Sequence, residues 1–249
     1  MQNLTPIGRL FFAMSIAVFG IQQFIYNDFL PTLMPIPLSF SGRQFLIYII
    51  SIVLIIASIC IVIKKMDRLA ATIIGILFLL LFLTIHLAKI FADPHNGGLW
   101  AAAFEVFAIG GGALFLARIS STGMNKTQNA IIRTGRYLFA ISLLVFGIQH
   151  FIYADYISTL ITPWIPLKLF WAYFVGLAFI ATSVSIFISI KTRLATLWLG
   201  IMFLLWFLIL HLPRAVADMH NENEWTSAFV ALAMCGISFM ISASQPKGK

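Results

Sequence analysis

All five histidines of this chain, His86, His95, His150, His211 and His220, stand among other polar side chains in otherwise apolar sequence. An imidazole titrates near neutrality and has two nitrogens, so such a set can exchange protons, ligate a metal or a haem, or hydrogen-bond a carbonyl. Ser15, Gln22 and Tyr26 are spaced by seven and four residues, which puts them on one helical face, and Ser142, Gln149 and Tyr153 repeat the stripe. Beside the stripe, Gln23 in the first copy becomes His150 in the second. Two further groups are His86, Lys89, Asp93 and His95, and His211, Arg214, Asp218 and His220. Steps of three and four residues would align His86, Lys89 and Asp93 on a continuing helix, where the base could neutralise the acid, although Pro94 and Pro213 limit that helix.

The candidate chemistries differ in what they need. Metal and haem sites have weak support, because the chain contains no His-x-x-x-His pair and no Glu-x-x-His, and carries one histidine per inner helix. A quinone needs only one or two hydrogen-bonding groups, such as His150, Gln149 or Tyr153, with Gln22 and Tyr26 in the other copy, and an apolar slot. The 24 Phe and 6 Trp supply walls in abundance. His95 and His220 in loops have an ordinary structural reading as interfacial groups. Glu105 is the one acid well inside an apolar run; it can carry protons or be a protonated group bonded across helices. Cys60 and Cys235 are the only cysteines, and neither belongs to a Cys-x-x-Cys pair, which argues against dithiol chemistry and against a disulfide scaffold.

These residues must be positioned by membrane helices. Of 249 residues, 61% are hydrophobic and 10% charged, too little polar surface to cover a water-soluble globule. Apolar runs at about 9–26, 44–63, 69–90, 99–117, 136–153, 168–190, 194–212 and 225–242 predict eight spans, which at roughly 20 residues each leave no room for a soluble domain. Gly8 to Tyr26 matches Gly135 to Tyr153 at 13 of 19 positions, and Arg68 to Trp100 matches Arg193 to Trp225 without gaps at 17 of 33. The chain is therefore a tandem duplication. The expected architecture is an all-α polytopic membrane protein of two parallel-related four-helix bundles, over 1–121 and 135–249, joined by a cytoplasmic linker over 122–134. The twin of the first run is an internal helix, so that run is expected to be a retained span. Gly110, Gly111, Gly112 and Ala113, with Ala231, Ala233 and Gly236, would permit close helix contact.

Sorting charge by side sets the expected orientation. Twelve of the 16 basic residues fall on the side of the termini, against Arg43, Lys89, Lys168 and Arg214 on the other. The positive-inside rule then makes both termini cytoplasmic, in a cytoplasmic (inner) membrane. The net charge of +8 is a topology signal, which removes nucleic acid as a partner.

Gly147-Ile148-Gln149-His150-Phe151 at the end of a first helix, a loop from Pro163 to Pro166 and the Arg193-Leu194-Ala195 start of a third helix resemble the DoxX/DoxD-like family of small four-helix membrane proteins. The resemblance covers both halves. It implies a redox role near the quinone pool, with an external or membrane-bound redox partner protein. Two departures are the fused duplication and Gln23 in place of His150. The leading expectation is a redox accessory or quinone-interacting subunit whose site, near the external face, joins Gln149, His150, Tyr153 and His211, with His86 across the pseudo-twofold. The alternatives are a proton-coupled transporter that uses Glu105, and a non-catalytic assembly or binding protein. His150→Gln is expected to abolish activity, and Gln23→His to do little harm.

Overall fold

The computed structural model describes residues 4–120 and 126–246. Part of the linker expected over 122–134, the outermost ends of the two repeat units, and Lys247 and Lys249 lie outside the described residues. Among those described, eight helices are long and apolar enough to cross a membrane. They are α1 (Leu4–Tyr26), α2 (Arg43–Ile63), α3 (Asp67–Ala92), α4 (Gly97–Ile119), α5 (Lys126–Ile152), α7 (Lys168–Ile188), α8 (Thr192–Ala217) and α9 (Glu222–Ser244), with a short helix, α6 (Ala154–Leu160), after α5. The protein is an all-α polytopic membrane protein. Long apolar runs must satisfy their backbone groups internally when they cross a bilayer, and the helix does so within one segment.

Neither repeat closes on itself. Along the chain, α1 packs on α2, α2 on α3 and α3 on α4. The series continues with α4 on α5, α5 on α7, α7 on α8 and α8 on α9, and α9 returns to α1. Because α4 also touches α9 across the middle, the bundle has two lobes that share this central pair. Lobe A is α1, α2 and α3 closed by α4 and α9; lobe B is α5, α7 and α8 closed by the same two helices.

Glycines make the exchange possible. A Cβ on Gly8 would lie 2.6 Å from the Gly236 carbonyl oxygen, and one on Gly135 would lie 2.7 Å from that of Gly111. Gly8 aligns with Gly135, and Gly236 with Gly111, so these are two copies of one contact between the first helix of one repeat and the last helix of the other. Lipid tails are as apolar as leucine, so backbone approach of this kind supplies packing that burial of apolar surface alone cannot. At the same end Arg9, buried in α1, forms an ion pair with Asp67 and donates to Ser120 Oγ at 2.9 Å and the Ile61 carbonyl at 3.2 Å, binding α1, α2, α3 and the end of α4 together.

At the end away from the termini, both repeats use the same turn. Asn96 caps α4 by accepting from the N–H groups of Gly98 (3.1 Å) and Leu99 (3.3 Å), and Asn221 caps α9 by accepting from Asn223 (3.1 Å). Each asparagine also donates, at 3.1 Å, to the aspartate three residues before it, Asp93 or Asp218. The indole N–H groups of Trp100 and Trp225 donate to the carbonyls of Pro94 (2.9 Å) and Met219 (3.1 Å). The duplicated Asp-x-His-Asn sequence is thus a device for starting a helix, which satisfies N–H groups left unpaired in its first turn.

Candidate functional site

The inner histidines end π-helical turns. In α3 the turn runs Phe82–His86 and in α8 Phe207–His211, and ordinary helix resumes after each. Such a bulge inserts a residue into the helical period and re-aims the side chain that closes it. Pro213 follows the second bulge without ending the helix, contrary to expectation, and α8 runs on to Ala217. Ala88 stands at that position in α3, where the same bulge occurs, so the proline is not its cause.

His150 sits on α5 with its ring set edge-on to Phe179, centroids 5.2 Å apart. Its Nδ1–H donates to the Phe146 carbonyl at 2.8 Å, since a carbonyl can only accept, and this leaves Nε2 free as an acceptor. Space for the ring comes from Gly176, where a Cβ would lie 2.7 Å from that of His150. The first repeat has a different solution at each aligned position. There Gln23 accepts from Ser51 Oγ at 3.2 Å and Leu54 stands in place of Phe179.

Within lobe B lies a cavity of about 660 Å³. His150, His211 and Glu105 all line it, the last projecting from α4 of the first repeat. Its walls are largely aromatic and aliphatic, with Phe146, Trp171, Phe179, Phe203 and Trp206 prominent. Glu105 is the ninth residue of α4, and at 1.5 Å per residue it lies about 12 Å along the helix from Gly97, which also lines the cavity. Arg214 and Glu224, on α8 and α9, form an ion pair at 2.5 Å that also lines it. Arg214 further donates to the Leu160 carbonyl at 2.9 Å and so ties down α6.

No family model, curated protein or solved structure matches this chain.

The expected site residues divide into two groups. Gln149, His150, Tyr153, His211 and Glu105 come together around the cavity. Gln149, however, spends its amide on structure, donating at 2.7 Å to the carbonyl of Gly97, while Gln22 donates at 3.1 Å to the carbonyl of Glu222. Gly97 aligns with Glu222, so the two glutamines are copies of one clamp, each holding the first turn of the other repeat's last helix. Tyr153 donates to the His95 carbonyl at 3.3 Å. Tyr26 is half-buried and does not line this cavity.

His86, across the pseudo-twofold, does not share this cavity; it is buried in lobe A, with Nε2 3.1 Å from the Leu33 carbonyl. Asp93 and Asp218 are not neutralised by Lys89 and Arg214 as expected. The helices end before them, both serve the asparagine caps, and Arg214 turns to Glu224 instead. His95 and His220 are exposed in those same turns. Gln23 is fully buried, held between Ser51 Oγ and Met34 Sδ. Among the described residues no three of His, Cys, Asp and Glu come together in a way that could hold a metal ion.

Glu224, Phe179, Trp171 and Trp206 also line the cavity and Gly176 makes room for His150, and none of these belongs to the polar groups that the sequence singles out. The signal for them lay in the duplication: Leu99 stands at the position of Glu224, Ser51 at that of Gly176 and Leu54 at that of Phe179.

Proposed function

We propose that this protein binds a lipid-soluble quinone in lobe B and acts as a DoxX/DoxD-like redox accessory subunit of the cytoplasmic membrane, with both termini cytoplasmic and the cavity toward the external face. The observation that carries the reading is the pairing of His150, its Nε2 left free, with an unbonded His211 in one aromatic-walled cavity. The volume lies within the roughly 300–1,000 Å³ usual for small-molecule pockets, and flat rings suit aromatic walls. The donor set fits the group: two imidazoles and a carboxyl can meet the oxygens of a quinone ring and handle its protons.

A quinone supplies two-electron, two-proton chemistry when bound, its electrons exchanged with an external or membrane-bound redox partner protein. The chain's own part is to bind, orient and move protons. His150 Nε2 accepts a proton from a hydroxyl on the ligand, the Phe146 carbonyl holds its tautomer, and Glu105 offers a second proton site deeper in the cavity.

The test uses the full chain purified in a quinone-free detergent. Titration with decylubiquinone should quench the fluorescence of Trp171 and Trp206 saturably. Val175→Trp, which fills the cavity, should remove the effect without lowering the melting temperature. Absence of saturable binding to the unmodified protein overturns the reading. One observation favours proton-coupled transport instead, namely that Glu105 lines the cavity and belongs to none of the ion pairs among the described residues. Proton-driven uptake of a solute into vesicles, lost in Glu105→Gln, would decide for that alternative.

A further inference from the structure

Lobe A fills with its own chain the space that lobe B leaves open. After α1 the segment Asn27 to Leu33 (NDFLPTL) aligns with Ala154 to Leu160 (ADYISTL), which forms α6. Pro31 stands where α6 has Ser158, and a proline there lacks an N–H and disfavours helix in the residue before it. The first segment instead turns inward. Phe29, Leu30, Leu33 and Met34 are all essentially buried, at 2% exposure or less. Arg43 fastens the segment by an ion pair to Asp28, and its guanidinium lies 5.2 Å from the centroid of the Phe29 ring.

The tip of this plug satisfies both residues that correspond to the lobe B histidines. His86, the counterpart of His211, donates from Nε2 to the Leu33 carbonyl at 3.1 Å. Gln23, the counterpart of His150, donates from Nε2 to Met34 Sδ at 3.2 Å. In lobe B both partners are gone. The Leu160 carbonyl, aligned with that of Leu33, is taken by Arg214 at 2.9 Å. His211 Nδ1 is enclosed with no hydrogen-bond partner, so the nitrogen left for a ligand is Nε2, the atom by which His86 holds Leu33. The partner that His86 finds in the Leu33 carbonyl is absent for His211, whose ring lines the cavity instead.

We infer that the ligand of lobe B takes the seat that Leu33 and Met34 fill in lobe A, presenting an acceptor oxygen of the carbonyl class to His211 Nε2. His211 is then the residue that selects for a carbonyl, and each chain binds one ligand, because the other seat is permanently filled. The choice of probe rests on the quinone reading above, but the geometry concerns the oxygen alone.

The experiment pairs a change in the ligand with a change in the protein. Decylubiquinone is compared with an arene carrying the same tail and methoxy groups but no ring carbonyls, against the unmodified chain, His211→Leu and His211→Asn. The unmodified protein should bind one decylubiquinone per chain and prefer it to the arene. His211→Leu should lose roughly three- to tenfold of that preference, the range of one neutral hydrogen bond, and His211→Asn, which keeps a donor, should retain most of it. As a measurement that needs no variant, infrared difference spectra of carbonyl-labelled decylubiquinone should show one carbonyl stretch at lower wavenumber in the bound state. Full preference in His211→Leu, an unshifted pair of carbonyls or two probes per chain overturns the inference while the quinone reading stands. Failure of the unmodified protein to bind decylubiquinone at all overturns both.

Discussion

Gly112 packs against Ile237, the residue that holds its own position in the other repeat; a Cβ on Gly112 would lie 2.3 Å from Ile237 Cδ1. A residue can meet its own counterpart only where the pseudo-twofold passes between them, so this contact marks the axis, between α4 and α9. The repeat is asymmetric there, glycine against isoleucine, because the site on the axis has room for one side chain.

The glycine contacts should differ in cost according to what they meet. At Gly8 an added Cβ encounters backbone, the Gly236 carbonyl, whereas at Gly112 it encounters only the Ile237 side chain, Cδ1 at 2.3 Å and Cγ1 at 2.4 Å. Gly8→Ala should lower stability by about 1–3 kcal/mol, and Gly112→Ala by less, with recovery in the double variant that adds Ile237→Ala. Thermal unfolding in detergent measures both. Equal losses at the two sites, with no recovery, would refute the distinction.

The glutamine clamps are predicted to be structural. Gln22→Leu and Gln149→Leu should each cost on the order of 1 kcal/mol of stability, with decylubiquinone binding little changed, since each amide is engaged by the opposite repeat. Lost binding at unchanged melting temperature would return Gln149 to the ligand site.

His150→Gln copies the first repeat into the second and keeps a hydrogen-bonding group while removing the one that titrates. It should abolish quinone-linked redox activity while the protein stays folded, the lost ring packing and hydrogen bond costing about 1 kcal/mol and lowering the melting temperature by only about 2–4 °C. Gln23→His puts a ring where Ser51 and Met34 already occupy the space, and should destabilise without changing the site. Retained activity in His150→Gln removes the residue from the mechanism.

Topology is tested by single cysteines at Lys65 and Asn223 in a Cys60→Ser, Cys235→Ala background. An impermeant maleimide applied to intact cells should label the Asn223 position and leave that at Lys65 untouched until the membrane is opened. Labelling of both from one side would refute the eight-span arrangement.

Fold class and duplication were legible in the sequence because they rest on local, additive properties. Span number follows from runs of apolar residues, and the repeat from identities such as Phe19 to Tyr26 against Phe146 to Tyr153. Candidate polar residues could be found in the same way, since polar groups in apolar runs stand out one by one. The sequence could not say which of them share a cavity. His86 and His211 lie in matched sequences and end matched π turns, yet one is sealed against Leu33 and the other lines an open space. That difference arises from how the segments after α1 and α5 fold back: Pro31 acts locally, but the seat itself is set by His86 on Leu33 and Arg214 on Leu160, residues 53 and 54 apart in the chain. The exchange of α4 and α9 between lobes likewise depends on backbone approach at paired glycines, which no single helix reveals. Tertiary packing alone therefore decided that one lobe is filled by its own chain and the other left open.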